Sequence, residues 1–310
     1  PLHSLTLKIN KKHPKLNFTP IICDVRNKES LEHLFAKYKP DLIYHCAAYK
    51  HVPLMEKNPG QSVLVNILGS VNMADLAVKH NCERFVMIST DKAVNPSNVM
   101  GACKRVAEMY VQSLHNQIHK NKNNTSKTKF ITTRFGNVLG SNGSVVPLFK
   151  KQIRSGGPVT ITHPEIIRYF MTIPEACQLV MEASCMGSGG EIFIFDMGKA
   201  VKIIDLAHKM IRLAGHIPDK TIKIKTIGLR PGEKLYEELL NDKSITIPTY
   251  HEKIMIVKEN NNQYDYINKE VEKIISSANA HEIENIIKGI KLLVPEYKSL
   301  NSQFEKLDVS

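Results

Sequence analysis

Residues 89–105 read Ser-Thr-Asp-Lys-Ala-Val-Asn-Pro-Ser-Asn-Val-Met-Gly-Ala-Cys-Lys-Arg. An acid, Asp91, and a base, Lys92, stand side by side after the hydroxyls of Ser89 and Thr90. A carboxyl and an amine at one spot can give and take protons, the two halves of general acid–base chemistry. The turn dipeptide Asn95-Pro96 separates this pair from a helix-like stretch in which Met100 and Lys104 lie four residues apart and so share a face. In an open α/β sheet the ligand crevice lies at the carboxyl ends of the strands. A strand ending at Thr90 would bring Thr90, Asp91, Lys92 and Lys104 to that crevice. The bland alternative is a charged loop followed by an ordinary surface lysine.

The elements that must position these residues alternate along the chain. A short apolar run, 20–24, ends on Asp24. Residues 27–38 read as a helix, with Asn27 as N-cap and Leu31, Leu34 and Phe35 at helical spacing. Strand-like runs at 41–48, 84–90 and 129–135 bracket helix-like runs at 60–80 and 98–114, and 116–128 is polar and irregular. This rhythm predicts an α/β fold: a doubly wound parallel sheet with helices on both faces. Beyond residue 140 the texture changes to short strands (159–162, 191–195, 221–226) among helices (145–155, 174–186, 203–214), followed by helix-like stretches at 268–278 and 281–293. The expected organisation is a first domain over 1–140, a smaller lobe over 141–245 interleaved with the end of the sheet, and a C-terminal extension over 246–310.

With 310 residues, 42% hydrophobic and 23% charged, the chain can bury a sizeable core and is not disordered in composition. No run approaches 18 consecutive apolar residues, so no membrane segment is expected in this chain, and no signal peptide is read. Pro1 in place of Met leads us to expect a fragment or processed form. Lys and Arg number 42 against 30 acids, a net +12, of which 8 charges fall on acid-free stretches around residues 8–15 and 120–129. Solvated polar segments explain them, or attraction to an anion such as a phosphorylated substrate or an acidic membrane surface. Nucleic acid is not expected, since Trp is absent and aromatics are only 6%. The six cysteines (23, 46, 82, 103, 177, 185) form no C-x-x-C and read as small core residues in a reducing compartment. His163, His208 and His251 have no partners at metal-ligand spacing, so no metal is expected. Asn124-Thr-Ser fits a glycosylation acceptor but lacks a secretory signal.

One motif is missing. A doubly wound nucleotide domain opens with a strand, a glycine-rich turn and a helix whose N-terminus holds a pyrophosphate. No such glycine pattern precedes the first strands, and Gly136, Gly140 and Gly143 come only after the fourth. Either the chain binds no dinucleotide, or the first β-α-β segment has been cut away.

Five words in order carry a resemblance: Ala47-Ala-Tyr-Lys-His-Val-Pro-Leu-Met-Glu56, Ser89-Thr-Asp-Lys-Ala-Val-Asn-Pro96, Arg134-Phe-Gly-Asn-Val-Leu-Gly-Ser141, Arg168-Tyr-Phe-Met-Thr-Ile-Pro-Glu-Ala176 and Leu229-Arg-Pro-Gly-Glu-Lys234. Over residues 15 to 245 the chain resembles the CapD-like polysaccharide biosynthesis proteins, the UDP-N-acetylglucosamine 4,6-dehydratases of the extended short-chain dehydrogenase/reductase superfamily. The resemblance implies a Rossmann-like domain lacking its N-terminal βαβ, bound NAD rather than NADP, a UDP-sugar substrate, a homo-oligomer and a cytoplasmic site, at the inner face of the membrane if helices lie upstream. The implied reaction oxidises C4 of the sugar, eliminates water across C5 and C6, and returns the hydride to C6. A UDP-sugar epimerase and a truncated, non-catalytic nucleotide-sugar-binding module are the alternatives.

The resemblance also implies roles. Asp91 would be the general acid, with a raised pKa, and Lys92 the base at C5, kept partly neutral by burial beside Lys104. Lys104 would bond the nicotinamide ribose and Thr90 would position the 4-hydroxyl. Met100 stands where the superfamily's usual Tyr would be, and a thioether takes no proton, so the base for C4 oxidation must be Lys104 through water, Asp91 or the substrate's surroundings. Asp24 and Val25 would face the adenine, and Ala47 and Ala48 would let the cofactor approach closely. On the substrate side, Lys50 and His51 would touch sugar or phosphate, Asn137, Arg168 and Arg230 the diphosphate, and Ser144, Val145 and Pro147 the uracil. Glu233 would hold a ribose hydroxyl or serve as a first-turn helix acid.

Overall fold

A computed structural model of the chain describes residues 2–120, 126–238, 245–259 and 263–308. The central sheet has six strands in the order Leu42–His45, Arg84–Ile88, Lys129–Arg134, Ile192–Phe195, Ile254–Lys258 and Ile245–Pro248. The first four run parallel and the last two are added antiparallel. Side chains alternate across the sheet, as the two-residue period of a strand requires. Phe85, Met87 and Phe130 enter one core with the helices Lys28–Tyr38, Gly69–Lys79 and Val99–Lys120, while Val86 and Ile131 enter a second with the helix Ile173–Met186. Both faces are therefore covered, and the doubly wound α/β expectation holds. In a third cluster, Phe149 and Ile153 of helix Val145–Arg154 meet Val159, Ile161 and helix Ile203–Leu213.

Asn27 caps its helix as expected, accepting from the Ser30 N–H at 2.9 Å. Other expectations fail for physical reasons. The 20–24 run forms no strand, and Ile22 is 94% exposed, because among the described residues nothing pairs with it beside the edge strand Leu42–His45. The Lys-rich start is a helix, Leu2–Lys12, without a buried residue. The 98–114 helix continues to Lys120, since His115 and Ile118 still have a core to enter; Asn124 and Thr125 of the glycosylation triplet lie outside the described residues. Only Cys82 and Cys103 are buried; the other four cysteines are exposed, three beyond strand ends or on a helix's open side, and all six are free. The stretch Pro59–Lys79 has the length and apolarity to cross a membrane, but 61% of its apolar window is buried in the protein core.

Two strands, Ile245–Pro248 and Ile254–Lys258, were not read from the sequence. The helices Tyr264–Asn279 and Ile283–Leu293 send Ile267, Val271, Ile274, Ile286, Ile287 and Ile290 into the same core as Phe85. Beyond them the chain crosses the head of the Val99–Lys120 helix. The Lys298 N–H donates to the Pro96 carbonyl at 3.1 Å and the Leu300 N–H to that of Ser97 at 3.2 Å. A buried ion cluster ties strand to helix below: Arg134 donates to Glu108 through Nε at 2.9 Å and Nη2 at 2.5 Å, and pairs with Glu259 at 2.7 Å. Such a cluster offsets its desolvation only because each charge is matched.

Candidate active site

The Arg84–Ile88 strand delivers the chain to Thr90, which is extended and caps the single turn Asp91–Ala93 by accepting from the Lys92 N–H at 3.4 Å. The following helix is then pinned at its first turn. Glu56 Oε1 accepts from the Val99 N–H at 2.6 Å, and Asn98 Oδ1 accepts from the Gly101 N–H at 2.8 Å. These bonds satisfy orphan donors of a helix N-terminus. Gly101 lets the helix press onto the turn: a Cβ there would sit 2.0 Å from the Lys92 carbonyl oxygen.

The turn buries the acid and lifts the base. Asp91 is 1% exposed. Its Oδ1 accepts from Lys92 Nζ and from Thr90 Oγ1, each at 2.9 Å. Its Oδ2 is buried without a hydrogen-bond partner among the described residues, and lies 3.1 Å from where a Cβ of Gly136 would stand. Lys92 Nζ also faces Glu237 Oε1 at 3.6 Å. Burial pushes the Lys92 ammonium down, but Asp91 and Glu237 outweigh it and hold its pKa above the usual lysine value. This corrects the expected partial neutrality: two carboxylates face Lys92 Nζ and outweigh both its burial and the nearby Arg168. Lys104 is the depressed one, 4% exposed and pulled down by burial to about 8. Met100, also 4% exposed, lies four residues earlier, at the head of the same helix.

The remaining expected residues fall into three places. Cys46, Ala47, Ala48, Tyr49 and Lys50 lie exposed past the carboxyl end of the Leu42–His45 strand. The buried Asn66 steadies this segment from inside, accepting from the Tyr49 N–H at 2.8 Å and donating to its carbonyl at 3.0 Å. Asp24 sits on the open surface, where hydrogen bonds from Arg26 hold its pKa down to about 2, and Val25 accepts from Asn72 at 3.0 Å. Lys50 reaches Ser141 at 3.5 Å, and the His51 ring packs so closely on Gly143 that a Cβ would meet it at 2.4 Å, which brings the first and third motif words together. Ser144 precedes helix Val145–Arg154 with its Oγ buried and unpartnered among the described residues, and Asn137 is half-buried on the two-residue strand Asn137–Val138.

The third group is the second correction. Arg168 is not a free diphosphate partner: it is 8% exposed, and it donates to the carbonyls of Ile167, Leu235 and Lys234 at 2.6, 3.1 and 2.8 Å. Its strand aims it under the 230–238 segment, where buried carbonyls claim it. Arg230 stays half exposed and grips Glu233 through Nε at 3.2 Å and Nη2 at 3.0 Å. Glu233 is no first-turn acid, because the described part of this segment holds no helix. Burial pushes Glu233 up, but Arg230 outweighs it and keeps its pKa lowered.

The model of the family described as polysaccharide biosynthesis protein matches residues 2–259. The chain belongs to this family. It is 53% identical over 275 residues to the capsular polysaccharide biosynthesis protein CapD of Staphylococcus aureus, covering 88% of this chain and 44% of that protein. It is 38% identical over 221 residues to a UDP-N-acetylglucosamine 4,6-dehydratase (inverting) of Campylobacter jejuni, covering 71% and 61%. The chain thus spans about half the length of the curated relatives it matches. Among solved structures, that of Pen from Bacillus thuringiensis is similar at 34% identity with a TM-score of 0.73, covering 83% of this chain and 77% of that one.

The site has features that the sequence alone does not flag. Gly101 and Gly136 allow two close approaches to the acid–base pair, and Glu237 supplies a second carboxylate to Lys92. The glycines had no spacing signal. Glu237 lies three residues beyond a motif word and looks like one of two solvated acids, Glu237-Glu238.

Proposed function

We propose that this chain is the catalytic core of a nucleotide-sugar 4,6-dehydratase that acts on UDP-N-acetylglucosamine, with NAD as cofactor, for surface polysaccharide precursors. The observation that carries the reading is the Asp91–Lys92 couple, with one buried carboxylate oxygen unpartnered among the described residues. Elimination across C5 and C6 needs both an acid and a base at adjacent carbons, whereas an epimerase working only at C4 has no use for the pair.

The residues present fit the cofactor. The exposed 46–50 segment at a strand's carboxyl end, with small side chains at Ala47 and Ala48, leaves room for close approach. Asp24, held as a carboxylate, and Val25 suit the adenosine end, and Lys104 the nicotinamide ribose. Bound NAD supplies a reversible hydride acceptor.

The chain's own groups move the protons. Thr90 orients the 4-hydroxyl, and Lys104, half neutral near pH 8, draws its proton where Met100 cannot. The C4 ketone acidifies the C5 hydrogen. One proton crossing the 2.9 Å link from Lys92 Nζ to Asp91 Oδ1 turns the resting ion pair into a neutral amine and a carboxylic acid, the reactive form. Exclusion of water by bound substrate favours this neutral pair. Lys92 then takes the C5 proton, and Asp91 gives its own to the departing 6-hydroxyl. Lys92 later returns its proton to C5, and the proton drawn from the 4-hydroxyl balances the one lost with water. Arg230, facing solvent, and Lys50 meet the diphosphate, and the Ser144 hydroxyl, unpartnered among the described residues, meets the uracil.

The protein as its gene encodes it should convert UDP-N-acetylglucosamine to a product lighter by one water, with a methyl at C6 and no net consumption of NAD. An unchanged mass with inverted C4 identifies an epimerase and ends this reading. Because the amine form of Lys104 is the active one, the single-turnover rate of C4 oxidation should rise about tenfold per pH unit below pH 8 and level off above it. A profile flat from pH 6 to 9 excludes Lys104 as that base.

A further inference from the structure

A chain of alternating charges runs from the reacting centre to the surface. Asp91 pairs with Lys92 at 2.9 Å, Lys92 with Glu237 at 3.6 Å, Glu237 with Arg168 at 3.7 Å, Arg168 with Glu233 at 3.6 Å, and Glu233 with Arg230 at 3.0 Å. The first five members are at least four-fifths buried, and only Arg230 opens to solvent. We propose that Glu237 is the positioning residue for Lys92: its carboxylate holds Nζ opposite Asp91, and Arg168 fixes that carboxylate to the Arg230–Glu233 end of the site. The proposal deepens the dehydratase reading and rests on it for the role of Lys92, but the placement of charge is read from geometry alone.

Four elements present charge to Lys92. Asp91 comes from its own turn, Glu237 from the 230–238 segment, Arg168 from the strand Ile167–Arg168, and Lys50 from the exposed loop after Leu42–His45. Two acids thus oppose two cations and a burial cost. Without Glu237 only Asp91 would hold the ammonium, and Nζ would lose the second of its two anchoring carboxylates. Arg168 would keep its three carbonyl partners, so the segment itself would stay anchored.

The test reads Lys92 directly. Protein labelled with ¹³C at lysine Cε is titrated by NMR, with the Lys92 signal assigned by its loss in Lys92→Met. In wild type Lys92 should stay charged throughout pH 7–10, while in Glu237→Gln its titration should enter that range. Water loss from UDP-N-acetylglucosamine should fall about a hundredfold, the scale of a misaimed reacting group, with UDP affinity unchanged within about threefold. Glu237→Asp, keeping the charge, should keep Lys92 charged and restore part of the rate. A Lys92 titration identical in wild type and Glu237→Gln overturns the proposal, as does UDP affinity falling in step with turnover. Should wild type epimerise rather than dehydrate, the NMR result still decides the placement, and only the dehydratase reading is lost. If Glu237→Gln does not fold, Glu237→Asp decides: unaltered turnover there overturns the assignment.

Discussion

Lys92→Met should cut water loss from UDP-N-acetylglucosamine by about a thousandfold, within the range for removing a general base, while C4 oxidation continues. Methionine keeps the unbranched stem that crosses the buried turn but carries no proton. The Thr90–Asp91 bond at 2.9 Å survives, as does Lys104 on the neighbouring helix, so the groups assigned to C4 stay in place. Quenching the variant with borodeuteride should therefore label C4 of the bound sugar, and C5 should no longer exchange with heavy water. Circular dichroism must show a folded variant, because Asp91 loses its buried partner. If label at C4 and water loss vanish together, Lys92 does not act at C5.

Gly101→Ala sets a local gain against a packing loss. Alanine is the better helix former by about 1 kcal/mol. Against that, the new Cβ would lie 2.0 Å from the Lys92 carbonyl oxygen and 2.8 Å from its carbon. Backbone cannot swing aside as a side-chain tip can, so helix and turn must part by roughly 1 Å or more. Overpacking of this kind costs about 1–3 kcal/mol, so the variant should be folded and destabilised by no more than about 2 kcal/mol in urea melts. Turnover should suffer far more, about a hundredfold, because the parting carries Asp91 and Lys92 off their targets. Wild-type turnover in a destabilised Gly101→Ala would show that the tight seating does not aim the pair.

The two variants probe what could and could not be read in advance. The parallel sheet was legible because buried strands such as Phe-Val-Met-Ile at 85–88 are apolar on both faces, and because Asn27 signals its helix. The Asp91–Lys92 ion pair was legible because the two side chains are adjacent in the sequence itself. The state of Lys92 was not, since it depends on Glu237, which is 145 residues away in sequence and 3.6 Å away in space. The role of Arg168 was misjudged for a similar reason: a guanidinium suits phosphate, but it also suits three backbone carbonyls brought over it by the fold. The strands 245–248 and 254–258 were passed over because they add to the sheet antiparallel, outside the βα rhythm that revealed the others.

The crossing of residues 298–302 over the head of the Val99–Lys120 helix has a consequence for biosynthesis. Pro96 and Ser97 wait for partners two hundred residues downstream, and Gly232 donates to Leu300 at 2.7 Å. Ser302 in turn bonds Glu56 at 2.6 Å. On a ribosome, which releases the amino end first, the sheet can begin to assemble early. The Pro96–Ser97 turn nevertheless gains these supports only when residues 298–302 emerge, so a nascent chain stalled near residue 290 would hold the head of the helix without that brace.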